Sequence, residues 1–247
     1  MSQDRQRGYA KAHVMPGWFV TFEGPEGSGK TIQSERLRDA AVVAGIPSLL
    51  TREPGGTPVG DEIRRILMDA TTDSVPLGPR TDAFLFNAAR AQHVDDVILP
   101  GLTRGDLVIC ARYADSTIAY QGYGSGLSID ALRDLEHLAT QALRPDLTIL
   151  LDVPVEVGLA RKGSDEQQRF EAGFDVAYHQ RVREGFWTMA ADEPERFVMV
   201  DATADVSEVA IQIRRAVGRL PGLAAIGLVP AGDSAGEPEA SHLRMSR

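Results

Sequence analysis

Trp18-Phe19-Val20-Thr21-Phe22-Glu23-Gly24-Pro25-Glu26-Gly27-Ser28-Gly29-Lys30-Thr31 is the stretch whose reading decides the fold. Trp18, Phe19, Val20 and Phe22 read as a buried strand, and Gly24 to Thr31 then fits G-x-x-x-x-G-K-[ST] at every fixed position. A loop of this kind must pass through backbone conformations closed to residues with a Cβ while aiming successive N–H groups inward, which is why glycines punctuate it. The helix predicted to start at Thr31 completes an anion site with its unpaired N–H groups and its dipole. Gly24, Pro25, Glu26, Gly27, Ser28, Gly29, Lys30 and Thr31 are therefore expected to cradle the phosphates of a ligand. Lys30 is expected to reach the β- and γ-phosphates as a point charge, and the Thr31 hydroxyl to ligate Mg²⁺.

Outward from this stretch the chain alternates. Short apolar runs at Ile46–Thr51, Leu107–Cys110, Leu147–Leu151 and Phe197–Val200 are separated by helical periodicities. The helices are predicted from Thr31 to about Ala44, around Val59, Ile63, Ile66 and Leu67, from about Thr81 to Leu102, through Leu132, Leu135, Leu138 and Ala142, from Pro154 to about Lys162, up to about Ala191, and from Val206 to about Val217. Strands apolar on both faces that alternate with helices belong to a parallel sheet, so the fold class is α/β with a five-stranded parallel sheet flanked by helices. Residues 1–16 are read as a flexible leader, 17–219 as one domain, and the Ala-, Gly-, Ser- and Pro-rich segment 220–247 as a disordered tail.

The net charge of −9 argues against a nucleic-acid surface. Cys110 is the only cysteine, which excludes an intramolecular disulfide and fits a reducing cytoplasm. No apolar run approaches the ~20 residues of a membrane helix. Ligands of a parallel sheet sit at the carboxyl ends of its strands, and there the unusual cations fall: Arg52 follows the second strand and Arg112 the third. Their forked donors suit phosphate.

The segments FEGPEGSGKT, TREPGGT, FLFNAARAQHV, RYADSTIAYQG and LDVPVEVGLARK, in this order and spacing, resemble those of bacterial thymidylate kinases over about Phe19 to Val217. The resemblance implies a three-layer P-loop kinase fold with a mobile lid at about 161–171, transfer of the γ-phosphoryl group of ATP to dTMP with Mg²⁺, and a homodimer. Carried over by position, Phe86 stacks on thymine and Arg90 hydrogen-bonds a base carbonyl. Arg52 and Arg112 hold the acceptor phosphate, Arg112 also stabilising the transferred group. Ser116, Thr117 and Gln121 surround the base, and Tyr120 leaves no room for a 2′-hydroxyl. Glu26 matches an acid that contacts the acceptor's sugar or metal-bound water. Because an acid in a phosphate loop is costly without a compensating cation or donor, it is expected to have one. Arg161, Lys162 and Arg169 are lid cations expected to swing over the ATP phosphates.

Two departures stand out. Where the family has Asp-Arg-Tyr, this chain has Ala111-Arg112-Tyr113, so a carboxylate near the metal and Lys30 is missing, and the lid ends Gln168-Arg169-Phe170-Glu171 in place of an Asp-Arg pair. They bear on the metal environment and the rate more than on the substrate, and Ala111 leaves open a binding protein with weak catalysis; the other alternative is a related kinase of different acceptor specificity, since dUMP differs from dTMP by one methyl. A GTPase-type switch would need Asn-Lys-x-Asp, and the sole asparagine, Asn87, is followed by Ala88.

Overall fold

The computed structural model describes residues 16–68, 77–162 and 175–229. Five strands, β1 (Trp18–Glu23), β2 (Ser48–Arg52), β3 (Leu107–Ala111), β4 (Leu147–Asp152) and β5 (Phe197–Asp201), form one sheet in the order β2-β3-β1-β4-β5. All four pairings are parallel. β1 is central, and its partners β3 and β4 are buried nearly throughout, which accounts for their unbroken apolar runs. The edge strands β2 and β5 are only partly buried, and Met199 on β5 is half exposed.

Register fixes which side chains share a face. Phe22 pairs with Ala111, and Ala111 with Arg52, so Phe22 and Ala111 lie on one face while their neighbours Glu23 and Cys110 lie on the other. The Phe22 face is covered by α1 (Lys30–Val43), α9 (Val206–Val217) and α10 (Ala224–Leu228), whose Leu37, Val209, Ile213, Val217 and Ile226 pack on Val20, Phe22, Ile109 and Ile149. On the opposite face α4 (Leu99–Arg104) and the π-helical turn Val94–Ile98 bury Leu102, Val94 and Ile98 against Phe19 and Val108. Further along that face α8 (Val176–Asp192) buries Val182 and Phe186 against Leu150 and Phe197. The result is three layers, as expected.

Several boundaries differ from the sequence reading. The long helix predicted over about 81–102 is α3 (Pro79–His93), the π-helical turn and α4 in succession, with Pro100 at the start of α4 where it lacks a donor to lose. The helix marked by Leu132 is α6 (Ile129–Thr140), which stops before Ala142 because Gln141 and Ala142 both turn left-handed, at φ 52° and 61°. Between β3 and α6 the sequence indicated no regular element, yet the chain forms α5 (Ala114–Thr117) and a second π-helical segment, Ile118–Gly124. The residues up to 229 are ordered, against the expectation of a tail from 220: Leu223 and Ile226 are buried and the Trp18 indole donates to Pro221 O at 3.0 Å. Their alanine- and glycine-rich surroundings hid two core positions three residues apart. The rest of the tail, the leader before Pro16, and 163–171 of the lid lie outside the described residues.

Candidate active site

The phosphate loop closes in on itself. The Lys30 ammonium, buried at the start of α1, donates to Gly24 O at 2.9 Å, Pro25 O at 2.8 Å and Ser28 Oγ at 3.2 Å. Gly24 has φ 141°, and a Cβ there would stand 2.3 Å from Leu151 O. Gly27 has φ 67° and would put a Cβ 1.9 Å from the carbonyl of Gly158, on α7 (Val155–Lys162). Gly29 caps α1 left-handed at φ 87°, and Thr31 is exposed in the helix's first turn. Both glycine requirements at Gly24 and Gly27 are thus steric as well as conformational.

Beside the loop opens a cleft of about 570 Å³, counting its open mouth. Phe86, Arg90, Arg112, Ser116, Thr117, Tyr120 and Gln121 all line it, so the structure brings together these sequence-predicted residues from α3, the end of β3, α5 and the π-helical segment. π-Helical turns recur at functional sites, and this one carries Tyr120 and Gln121. Arg52 stands at the exposed end of β2 and does not line the cleft.

Arg112 is the pivot. Its backbone is left-handed at φ 68°, strained for a residue with a side chain, and its N–H donates to Phe22 O at 2.9 Å. Its guanidinium donates to Glu26 Oε1 at 2.5 Å and lies 5.0 Å from the centre of the Tyr120 ring. The Tyr120 hydroxyl donates to the same Glu26 oxygen at 2.6 Å. The compensation expected for an acid inside a phosphate loop is therefore Arg112 and Tyr120, which ties the loop to the cleft. Burial works against the charge of Arg112, but Glu26, Tyr120 and Glu23 together hold its pKa above the ordinary arginine value.

Arg90 is built into the wall. It donates to Glu53 Oε2 at 2.8 Å, Asn87 Oδ1 at 3.0 Å, and both Tyr113 O and Thr117 Oγ1 at 3.1 Å. Four of five guanidinium hydrogens are thereby engaged within the protein, leaving one on Nη1 for a ligand. Burial opposes its charge, and Glu53, with smaller help from Tyr113 and Glu136, raises its pKa above the ordinary arginine value all the same.

Sequence reasoning missed three contributors. Glu53 carries both Arg90 and His93, the latter at 3.0 Å. Its oxygens, His93 and Cys110 lie within 4.8 Å of one another, but the carboxylate is committed to these partners and the buried Arg90 charge opposes a cation there. Arg64, on α2 (Pro58–Met68), lines the cleft and donates to Pro54 O at 3.1 Å. Its pKa is lowered first by burial and then by Arg52 and Arg112, so guanidinium charges crowd together at this end of the cleft. Such crowding is relieved by an anion. Nothing in the sequence separated Arg64 from its neighbour Arg65, which faces solvent beside Glu62. Glu23, fully buried at the end of β1, accepts from Tyr113 N at 2.7 Å and Ser116 Oγ at 2.6 Å. Burial, then Asp115, push its pKa up to about 7.

Arg161 ends up elsewhere than over the loop. From α7 it donates to Ala202 O, beyond β5, at 2.7 Å. Arg169 and the side chain of Lys162 lie outside the described residues.

Comparison with known proteins agrees with this geometry. The family profile described as Thymidylate kinase matches residues 22–213. A thymidylate kinase of Thermomicrobium roseum is 51% identical over 195 residues, covering 78% of this chain and 90% of its own. One from Geobacter sp. strain M21 is 44% identical over 210 residues, 82% of this chain and 92% of that one. The crystal structure of thymidylate kinase from Ehrlichia chaffeensis superposes with a TM-score of 0.65 at 32% identity, over 81% of this chain and 98% of the other. The family profile spans the segment that holds the loop and the cleft, the relatives and the solved structure each cover about four fifths of the chain, and the chain belongs to the thymidylate kinase family.

Proposed function

We propose that the protein transfers the γ-phosphoryl group of ATP to the phosphate of dTMP, giving ADP and dTDP. The observation that carries this reading is the Glu26–Arg112–Tyr120 junction, which joins a phosphate-binding loop to an aromatic- and arginine-lined cleft. In this reading the acceptor base lies against Phe86 with the remaining Arg90 hydrogen on a carbonyl, and its phosphate lies among Arg52, Arg64 and Arg112. Lys30 exchanges its loop carbonyls for the donor phosphates. As charge spreads over the equatorial oxygens of the moving group, Lys30 and Arg112 stabilise it from opposite sides, preorganised and shielded from water. Tyr120, packed beneath the sugar, is the steric gate against ribose.

Mg²⁺ fits the residues present: Thr31 offers a hard hydroxyl oxygen at the exposed start of α1, and Mg²⁺ typically takes few protein ligands and keeps its waters. When bound, it neutralises charge on the donor phosphates. The segment at about 161–171 is proposed to be a lid that excludes water on closing, for which Arg161 must first leave Ala202 O.

We further infer a homodimer. Among the described residues, α2, α3 and α6 pack side by side and leave Val59, Phe84 and Leu138 exposed, at 52%, 62% and 77%. Sedimentation at micromolar protein should give twice the 26.7 kDa chain mass, and a monomer would refute it. Among the described residues no helix is long and apolar enough to cross a membrane, and we place the protein in the cytoplasm.

The deciding experiment is ADP release with dTMP, dUMP, UMP and dGMP at saturating ATP. dTMP should lead. dUMP should follow at about 5- to 150-fold lower kcat/KM, since one methyl in an apolar pocket is worth roughly 1–3 kcal/mol. UMP and dGMP should be close to inert, and equal turnover of all four would overturn the assignment.

A further inference from the structure

The strained backbone of Arg112 needs something to hold it, and the neighbouring contacts show what does. Left-handed φ on a residue with a Cβ is unfavourable and persists only where its surroundings over-determine it. On one side the Arg112 N–H is fixed to Phe22 O at 2.9 Å. On the other, the next amide, Tyr113 N, donates to Glu23 Oε1 at 2.7 Å. The second carboxylate oxygen, Glu23 Oε2, takes the Ser116 hydroxyl at 2.6 Å, and Ser116 Oγ accepts from Arg112 Nη1 at 3.4 Å. One buried carboxylate thus grips the backbone just after Arg112 and, through Ser116, the tip of its side chain.

We propose that Glu23 is a positioning residue for phosphoryl transfer, acting through Tyr113 N and Ser116 to keep the Arg112 guanidinium aimed at the junction with Glu26. This rests on the reading that Arg112 works on the phosphates. Glu23 does not itself line the cleft: it is fully buried on the sheet face opposite Ala111, behind the lining residues Tyr113 and Ser116. The grip is that of the ionised carboxylate, the form Glu23 takes above about pH 7, because both partners donate: an amide at this position presents one acceptor and one donor, so either Tyr113 N loses its acceptor or the Ser116 hydroxyl must turn, which disturbs the contact that couples Glu23 to Arg112.

Glu23→Gln keeps the volume and tests the idea by two routes. In a double-mutant cycle with Arg112→Ala, Glu23→Gln should lower kcat/KM for dTMP by about 10-fold or more in the parent, and by less than about 2-fold once Arg112 is gone. A merely structural role would give the same loss in both backgrounds, and that additivity would overturn the proposal. The second route needs no substrate. NMR of the full chain should show hindered rotation of the Arg112 guanidinium in the parent and faster rotation in Glu23→Gln, and unchanged rotation would equally overturn it. If the parent fails to turn over dTMP, the functional reading falls, while the NMR comparison still decides the role of Glu23.

Discussion

At the residue scale, Ala111 marks where this chain departs from its family's pattern, and the pleat says what the departure does. Ala111 shares a sheet face with Phe22, which packs on α1, the helix that carries Lys30 and Thr31, whereas Glu23 points to the opposite face. The buried Glu23 therefore does not replace the missing carboxylate. Glu26 is no substitute either, since its carboxylate is engaged by Arg112 and Tyr120. Ala111→Asp is expected to place an acid beside the start of α1 and to lower the Mg²⁺ concentration for half-maximal rate by about 10-fold, a common worth of groups that orient metal ligands. Titration of Mg²⁺ at saturating ATP and dTMP reads this directly. Superimposable curves for parent and variant would show that position 111 is irrelevant to the metal.

At the scale of elements, the phosphate loop and α7 meet backbone to backbone at Gly27 and Gly158. Gly27 would drive a Cβ to 1.9 Å from Gly158 O, and Gly158 would drive one to 2.2 Å from Glu26 O. α7 is thus the wall that sets the loop's height. Gly158→Ala leaves helix propensity improved, yet it must push the Glu26 carbonyl outward by most of an ångström. Misplacement on that scale costs up to about 10²-fold in turnover. We expect a rise in KM for ATP and a fall in kcat, with thermal stability lowered only modestly. Gly78→Ala is the control, since a Cβ there meets nothing within 4 Å; equal kinetics for the two variants would show that the loop tolerates displacement.

For the whole molecule, stability should fall as pH rises through neutrality. Glu23 is raised from 4.5 to about 7, chiefly by burial and then by Asp115. Glu136, also facing Asp115 with Arg90, Arg144 and Arg196 around it, is likewise raised to about 7 by burial. Between pH 4.5 and 7 the folded chain therefore holds protons that the unfolded chain has released. Folding is favoured at the acid side of that window and loses this contribution as pH climbs through it. For Glu23 the loss is on the order of 3 kcal/mol at most. Urea midpoints should accordingly drop between pH 5 and pH 8, and Glu23→Gln should flatten the slope. The groups around Glu23 are Asp115 and Arg112, with Cys110 behind it on β3. A parent whose midpoint is independent of pH would mean Glu23 stays ionised throughout.

What was legible in the chain, and what was not, divides along the range of the interactions. Gly24, Gly27, Gly29, Lys30 and Thr31 were readable because a phosphate loop is a local object: the strand before it, its turn and the start of the helix behind it lie within the fourteen consecutive residues 18–31. The five strands were readable because burial on both faces writes itself as uninterrupted apolar runs. The family resemblance supplied Phe86, Arg112 and Tyr120, and the structure gathers them in one cleft. By contrast, the partner of Glu26 is 86 residues away, that of Glu23 is 93, and Arg90 meets Glu53 across 37. No periodicity records such pairs, because charge compensation in a buried site depends on which strand ends the sheet order sets side by side. Gly158 was invisible for the same reason: a glycine in a helix reads as a weak helix former until the carbonyl lying against it is seen. The sequence by itself determined the loop, the sheet and the reaction class they imply. Only the tertiary structure decided how the loop's acid, the strained arginine and the buried carboxylate behind it are joined, since that joining is made of contacts between segments far apart in the chain.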